Sequence, residues 1–267
     1  MISTRLGDLH VRTVGTGAST TVMWPSMFVD SHTWDLLLPY LPEDRRYVLV
    51  DGPGVGLSQA LGRESNISEA AEAAIDLLRG LKITEPVDWV GNAFGGHVGF
   101  KLAARPGILR SLVAISSPSE PLPHALRRKI AMLGPVVRLV GTVAPIRSAV
   151  LAAMLTDASA GDARVRQIVL DGLARPGRRS LSYAIKSFIL NRVDVTPELR
   201  DILVPSLFVA SDSRGEWTPE DAQKAAALTP GAAVLTVRGA RTLIPLEQPE
   251  ILARHLRAFW AKLMQTS

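Results

Sequence analysis

Short runs rich in β-branched and aromatic residues alternate with amphipathic helical stretches along this chain, and that alternation restricts the fold more than any other feature. Thr21–Trp24, Tyr47–Asp51, Val87–Gly91, Leu112–Ile115, Pro205–Ala210 and Ala233–Val237 read as strands. Helical patterns cover Ser31–Leu41, Asn66–Leu81, Phe94–Ala104, Pro219–Leu228 and Pro249–Met264, and Asn66 with Glu69 forms a capping box. Strands separated by helices need crossover connections, so the expected fold is α/β, a mostly parallel sheet with helices on both faces. Thr4–Val14 alternates as a hairpin turning at Gly7-Asp8, which brings the expected sheet to eight strands.

The alternation stops between Ser117 and Val204, where only apolar-basic helical segments occur: Ala125–Val140, Ser148–Leu155, Val165–Leu173 and Ser180–Asn191. They predict a helical insertion above the sheet, with a core at 1–117 and 204–267 and a cap at 118–203. The net charge of +5 is concentrated there, since Pro121–Val193 holds twelve Lys/Arg against three acids while the rest of the chain is acidic. Four explanations stand side by side: an anionic group on a ligand, an anionic membrane surface met peripherally by the basic segment, an acidic protein, or a solvated arginine-rich face. No nucleic-acid-binding signature accompanies the charge, so nucleic acid is not an expected partner. Cysteine is absent, which excludes disulfides, thiolate metal sites and thiol nucleophiles. No secretory signal or apolar run of ~18 residues is visible, so the cytoplasm is the expected compartment.

Ligands of open parallel sheets bind at the carboxyl ends of the strands. Val90-Gly91-Asn92-Ala93-Phe94-Gly95-Gly96-His97 passes from strand through a tight turn to helix, with the glycine spacing of a nucleophile elbow, Gly-x-Ser-x-Gly. Asp51-Gly52-Pro53-Gly54-Val55-Gly56, Pro25-Ser26-Met27 followed by Trp34, and Pro245-Leu246-Glu247-Gln248-Pro249 occur in matching order. With these motifs, over nearly its whole length, the chain resembles the α/β-hydrolase superfamily. The resemblance implies the α/β-hydrolase fold with a helical lid over the substrate pocket.

It also implies a serine at the elbow, a histidine after the last strand and an acid after the strand before it. Here Ala93 stands at the elbow and Thr242 at the histidine position. The acid slot falls on Arg214 or Gly215, flanked by Asp212 and Glu216, with Glu120 as a displaced acid of weaker claim. A methyl group cannot attack a carbonyl, and loss of triad members forfeits about 10⁴–10⁶ in rate. Acyl-enzyme chemistry at Ala93 is therefore excluded by residue type.

What remains is a pair of oxyanion-hole amides, at Met27 and Phe94, which can stabilise an enolate or alkoxide without a covalent step. The expected catalytic groups are Asp212, Glu216, His32 and Arg241; the expected ligand contacts are Ser26, Met27, Asn92, Ala93, Phe94, Trp217 and Thr242. His97, one turn beyond the elbow, reads as a packed helix residue, and Asp30 and Ser31 read as helix caps. The leading expectation is a cofactor-independent, non-hydrolytic enzyme that cyclises, isomerises or eliminates a hydrophobic small molecule, with an anionic group on that molecule as one reading of the basic segment. Its rivals are a ligand-binding pseudoenzyme and a hydrolase of esters or lactones using displaced residues. No cofactor is implied, because the Gly52–Gly56 run lacks dinucleotide spacing.

Overall fold

The computed structural model describes residues 1–212 and 215–266. Among them nine strands form: β1 (Ile2–Thr4), β2 (Gly7–Leu9), β3 (Val11–Val14), β4 (Ser19–Trp24), β5 (Arg45–Val50), β6 (Val87–Asn92), β7 (Leu109–Ile115), β8 (Ser206–Ser211) and β9 (Ala233–Val237). β3 to β9 make one seven-stranded sheet in the order β3-β5-β4-β6-β7-β8-β9, antiparallel at β3 and parallel elsewhere. The expected eight-stranded sheet is thus corrected to seven. β1 and β2 pair only with each other, Thr4 opposite Gly7, so the hairpin turns at Arg5-Leu6 and not at Gly7-Asp8.

After β4 the chain moves outward to β5, then returns across β4 to β6. The crevice at such a reversal lies beyond the carboxyl ends of β4 and β6, between the Ser26-Met27 loop and the Ala93 turn. Helices pack on both faces. Trp24, Trp89, Phe100 and Phe208 build one core with α1 (Ile67–Gly80) and α2 (Phe94–Ala103). Met23, Leu49, Val90 and Val209, their neighbours in the two-residue strand period, build the other. The first core is also covered by α8 (Pro219–Leu228) through Ala222 and Ala225, and the second is closed by α9 (Ile244–Glu247) and α10 (Pro249–Thr266). The stretch 31–41, expected as one helix, forms two 3₁₀ turns, Ser31–Trp34 and Leu38–Tyr40, because Pro39 removes the amide that an α-helix would need there.

Between β7 and β8 lie α3 (His124–Val140), α4 (Ala144–Met154), α5 (Asp157–Gly161), α6 (Ala163–Ala174), α7 (Arg178–Ala184) and a π-helical turn, Ile185–Leu190. Polar contacts fasten them to the sheet. Ser180 Oγ accepts from Leu61 N at 3.0 Å and donates to Gly54 O at 2.8 Å. Glu247 accepts from Thr156 N and Arg241 N, both at 2.7 Å, which gives the glutamate of the Pro-Leu-Glu-Gln-Pro segment a structural task. Buried Asp30 pairs with Arg175 and also caps the first 3₁₀ turn at His32 N, 3.0 Å.

Candidate functional site

The turn after β6 adopts the geometry its glycines require. A Cβ on Gly91 would collide with the backbone of Gly95, and one on Gly95 with the carbonyl of Trp24, so both approaches need glycine. Between them Ala93 is held at φ 46°, ψ −102°, a region that costs a non-glycine residue about 1–3 kcal/mol. An elbow built to project a side chain therefore projects a methyl. Ala93→Gly should relieve most of that strain against a gain in unfolded-chain entropy worth about 0.4–1 kcal/mol. The net expectation is stabilisation near 1 kcal/mol, a melting temperature roughly 2–4 °C higher by calorimetry; a lower one would show the turn unstrained.

Above Ala93 is a cavity of about 370 Å³. Its floor is Ser26, Met27, Ala93 and Phe94, and Thr242 borders it from the loop after β9. The roof comes from Leu126 and Ile130 of α3, Met154 of α4, and Phe188 and Ile189 of the π-helical turn. Phe188 stacks on Phe94 at 4.5 Å between ring centroids, closing one side. Phe94 opens α2, so its amide lies ahead of the helix's hydrogen-bond ladder.

Polar groups are few on this wall, and two escaped sequence reasoning. His97 is buried, with Nε2 2.9 Å from Pro118 O. A carbonyl only accepts, so Nε2 carries the hydrogen, and Nδ1 keeps a lone pair that has no partner. Burial, reinforced by the positive charge of Arg192, pushes its pKa down to about 3, so the ring is neutral at physiological pH. Arg192 is also buried; Nη2 lies 2.8 Å from Glu216 Oε1, and Nε has no partner. The Glu216 side chain is 37% exposed, so one end of this pair is dry and the other reaches solvent.

The structure thus brings Ser26, Met27, Ala93, Phe94, Glu216 and Thr242 to the cavity wall. Five other expected residues are not on its wall. Asp212 is exposed and accepts from Gly239 N at 2.9 Å. His32 turns Nδ1 to Asp30 Oδ1 at 2.9 Å. The Arg241 guanidinium is taken by Ala152 O. Trp217 packs against Phe208 at 5.7 Å. Asn92 is fully buried and donates to Ile115 O and Thr242 O at 3.1 and 2.9 Å, which tethers the loop facing Ala93. In each case a partner other than the cavity's lining side chains, a backbone group, a carboxylate or a core ring, engages the side chain. Arg214 lies outside the described residues.

Among the described residues, the histidine ring nitrogens that have partners meet carboxylates, a guanidinium or a carbonyl, and no serine or threonine hydroxyl. No three His, Asp or Glu side chains among them converge to hold a metal ion.

Comparison with known proteins agrees with this fold. The esterase of Thermogutta terrifontis superimposes with a TM-score of 0.86 at 20% identity, covering 98% of this chain and 97% of that one. The enol-lactonase of Burkholderia xenovorans LB400 gives 0.87 at 19% identity, with 97% and 98% covered. These likenesses establish the fold. RutD of Stutzerimonas stutzeri (strain A1501), which bears a provisional carbamate-hydrolase name, is 34% identical over 122 residues, so the match spans 45% of either chain. The sequence profile described as the alpha/beta hydrolase family matches residues 14–255, and the chain belongs to that family.

Proposed function

We propose that this protein binds an apolar small molecule bearing a carboxylate, or a similar oxyanion, in the cavity above Ala93, and that it forms no covalent intermediate with it. The observation carrying this reading is Arg192, a buried guanidinium on a largely apolar wall with one nitrogen unpartnered. A buried cation is costly unless paired, and Glu216 reaches it from a half-exposed position that a ligand oxyanion can take over. The methyl of Ala93 and the alcohol of Thr242 supply neither an activated nucleophile nor an imidazole base. Of the four groups expected to catalyse, Glu216 alone is on the wall, which favours a binder over a proton-shuffling enzyme. Any cyclisation, isomerisation or elimination would rest on Glu216 and the Met27 and Phe94 amides.

A second reading, hydrolysis by water that Glu216 activates, is favoured by the family and by relatives named for esters, enol-lactones and carbamates. Two measurements separate the readings. Native mass spectrometry of the purified protein should show a bound acid released unchanged. A fluorophosphonate should leave the intact mass unaltered. An adduct on Ser26 or Thr242 would overturn the proposal, and ester turnover without an adduct would move it to the second reading.

A further inference from the structure

Helix α3 has two apolar faces, and only one is covered. Gly134 and Val137 are buried against α7 and the π-helical turn, and Leu126 and Ile130 line the cavity. On the other side Met132, Val136, Leu139 and Val140 are exposed by 68%, 43%, 73% and 53%. Their spacing, i, i+4, i+7, i+8, makes one stripe along the helix. Arg128 and Lys129, one turn earlier, flank the same stripe.

The surrounding charge is of one sign and unpaired. From His124 to Thr156 there are five basic residues and no acid. Of the twelve Lys/Arg between Pro121 and Val193, Arg175, Lys186 and Arg192 meet carboxylates; among the described residues the other nine meet none. A second copy of this chain would set this positive face against another, a repulsive arrangement. An acidic protein would match the cations but leave the long apolar stripe to find its own pocket. An anionic bilayer satisfies both features. Methionine and leucine enter the acyl boundary, while Arg128 and Lys129 extend along them to the headgroups.

We infer that α3 is an interfacial helix that seats this protein on anionic phospholipid membranes. The inference is independent of which ligand the cavity holds. Because Leu126 and Ile130 on the reverse of the helix roof that cavity, docking would bring its rim to the lipid surface.

The test is co-sedimentation of the full chain with vesicles of phosphatidylcholine, alone or mixed with phosphatidylglycerol. Binding is expected to the mixed vesicles, weakened by salt, and far weaker to phosphatidylcholine alone. Arg128→Gln with Lys129→Gln should lower the affinity roughly thirtyfold, each charge near an anionic surface contributing about fivefold. Met132→Ser with Leu139→Ser should lower it by about tenfold or more. These positions are exposed, so unchanged thermal unfolding is the control on folding. No binding by the unmodified chain would overturn the inference. So would binding indifferent to both pairs, or sedimentation equilibrium showing a dimer that the Met132→Ser, Leu139→Ser variant dissolves.

Discussion

Lowering the pH from about 7.5 to about 4.5 should remove about 3 kcal/mol of folding free energy through His97 alone. The ring is buried and neutral in the folded protein, with its pKa depressed to about 3. In the unfolded chain it titrates near its ordinary value of about 6.5. Above that value neither state binds the proton and His97 contributes no pH dependence. As pH falls below it, the unfolded chain takes up a proton that the folded chain refuses, and stability falls by about 1.4 kcal/mol per pH unit until about pH 3. Glu69, Glu72 and Asp76, held below the usual carboxylate range chiefly by Arg63, Arg105 and Arg5, also lose support in acid. A variant isolates the histidine. His97→Gln keeps an amide donor for Pro118 O but cannot titrate, so urea unfolding midpoints should shift much less between the two pH values. Equal shifts in both proteins would refute the assignment.

Replacing Arg192 with methionine should weaken binding of an apolar acid about a hundredfold, the usual consequence of removing one partner from a buried charge pair. Calorimetric titration with octanoate measures it. The loss should fall on acids and spare the corresponding alcohols, because the methionine keeps the apolar wall. Folding should suffer less than binding, since Glu216 is partly exposed and can hydrate when released. The two residues are also coupled. Without the cation the His97 pKa rises, so the acid-induced loss of stability in Arg192→Met should be smaller than in the unmodified protein. A variant that binds acids normally would show that Arg192 is structural.

The elbow was legible because its chemistry is local: Gly91 and Gly95 are demanded by contacts within a few residues and with the adjacent strand. The limits of β9 and α8 were legible too, since Ala233–Val237 is a short β-rich run and Pro219 starts a helix naturally. Contacts between distant segments were hidden. Counting along the family pattern puts Asp212 and Arg241 beside the vacated triad positions, yet Gly239 N and Ala152 O claim them. Arg192 is one arginine in an arginine-rich segment, and its meaning comes from Glu216 on another loop. His97 left one signal: it follows Ala93 by four residues, so the two share a helix face and both line the cavity. The hairpin turn was misplaced because Gly7, at φ 95°, opens β2 and does not sit in the turn.

The central claim is that this cavity recognises an acid by charge and leaves it chemically intact. Calorimetric titration with octanoate and with methyl octanoate, followed by mass analysis of both mixtures, tests it most directly. The account predicts that octanoate binds at least about tenfold more tightly than its uncharged ester, the discrimination one buried ion pair provides, and that both are recovered unchanged. Equal affinity for the two, or release of methanol from the ester, would contradict it.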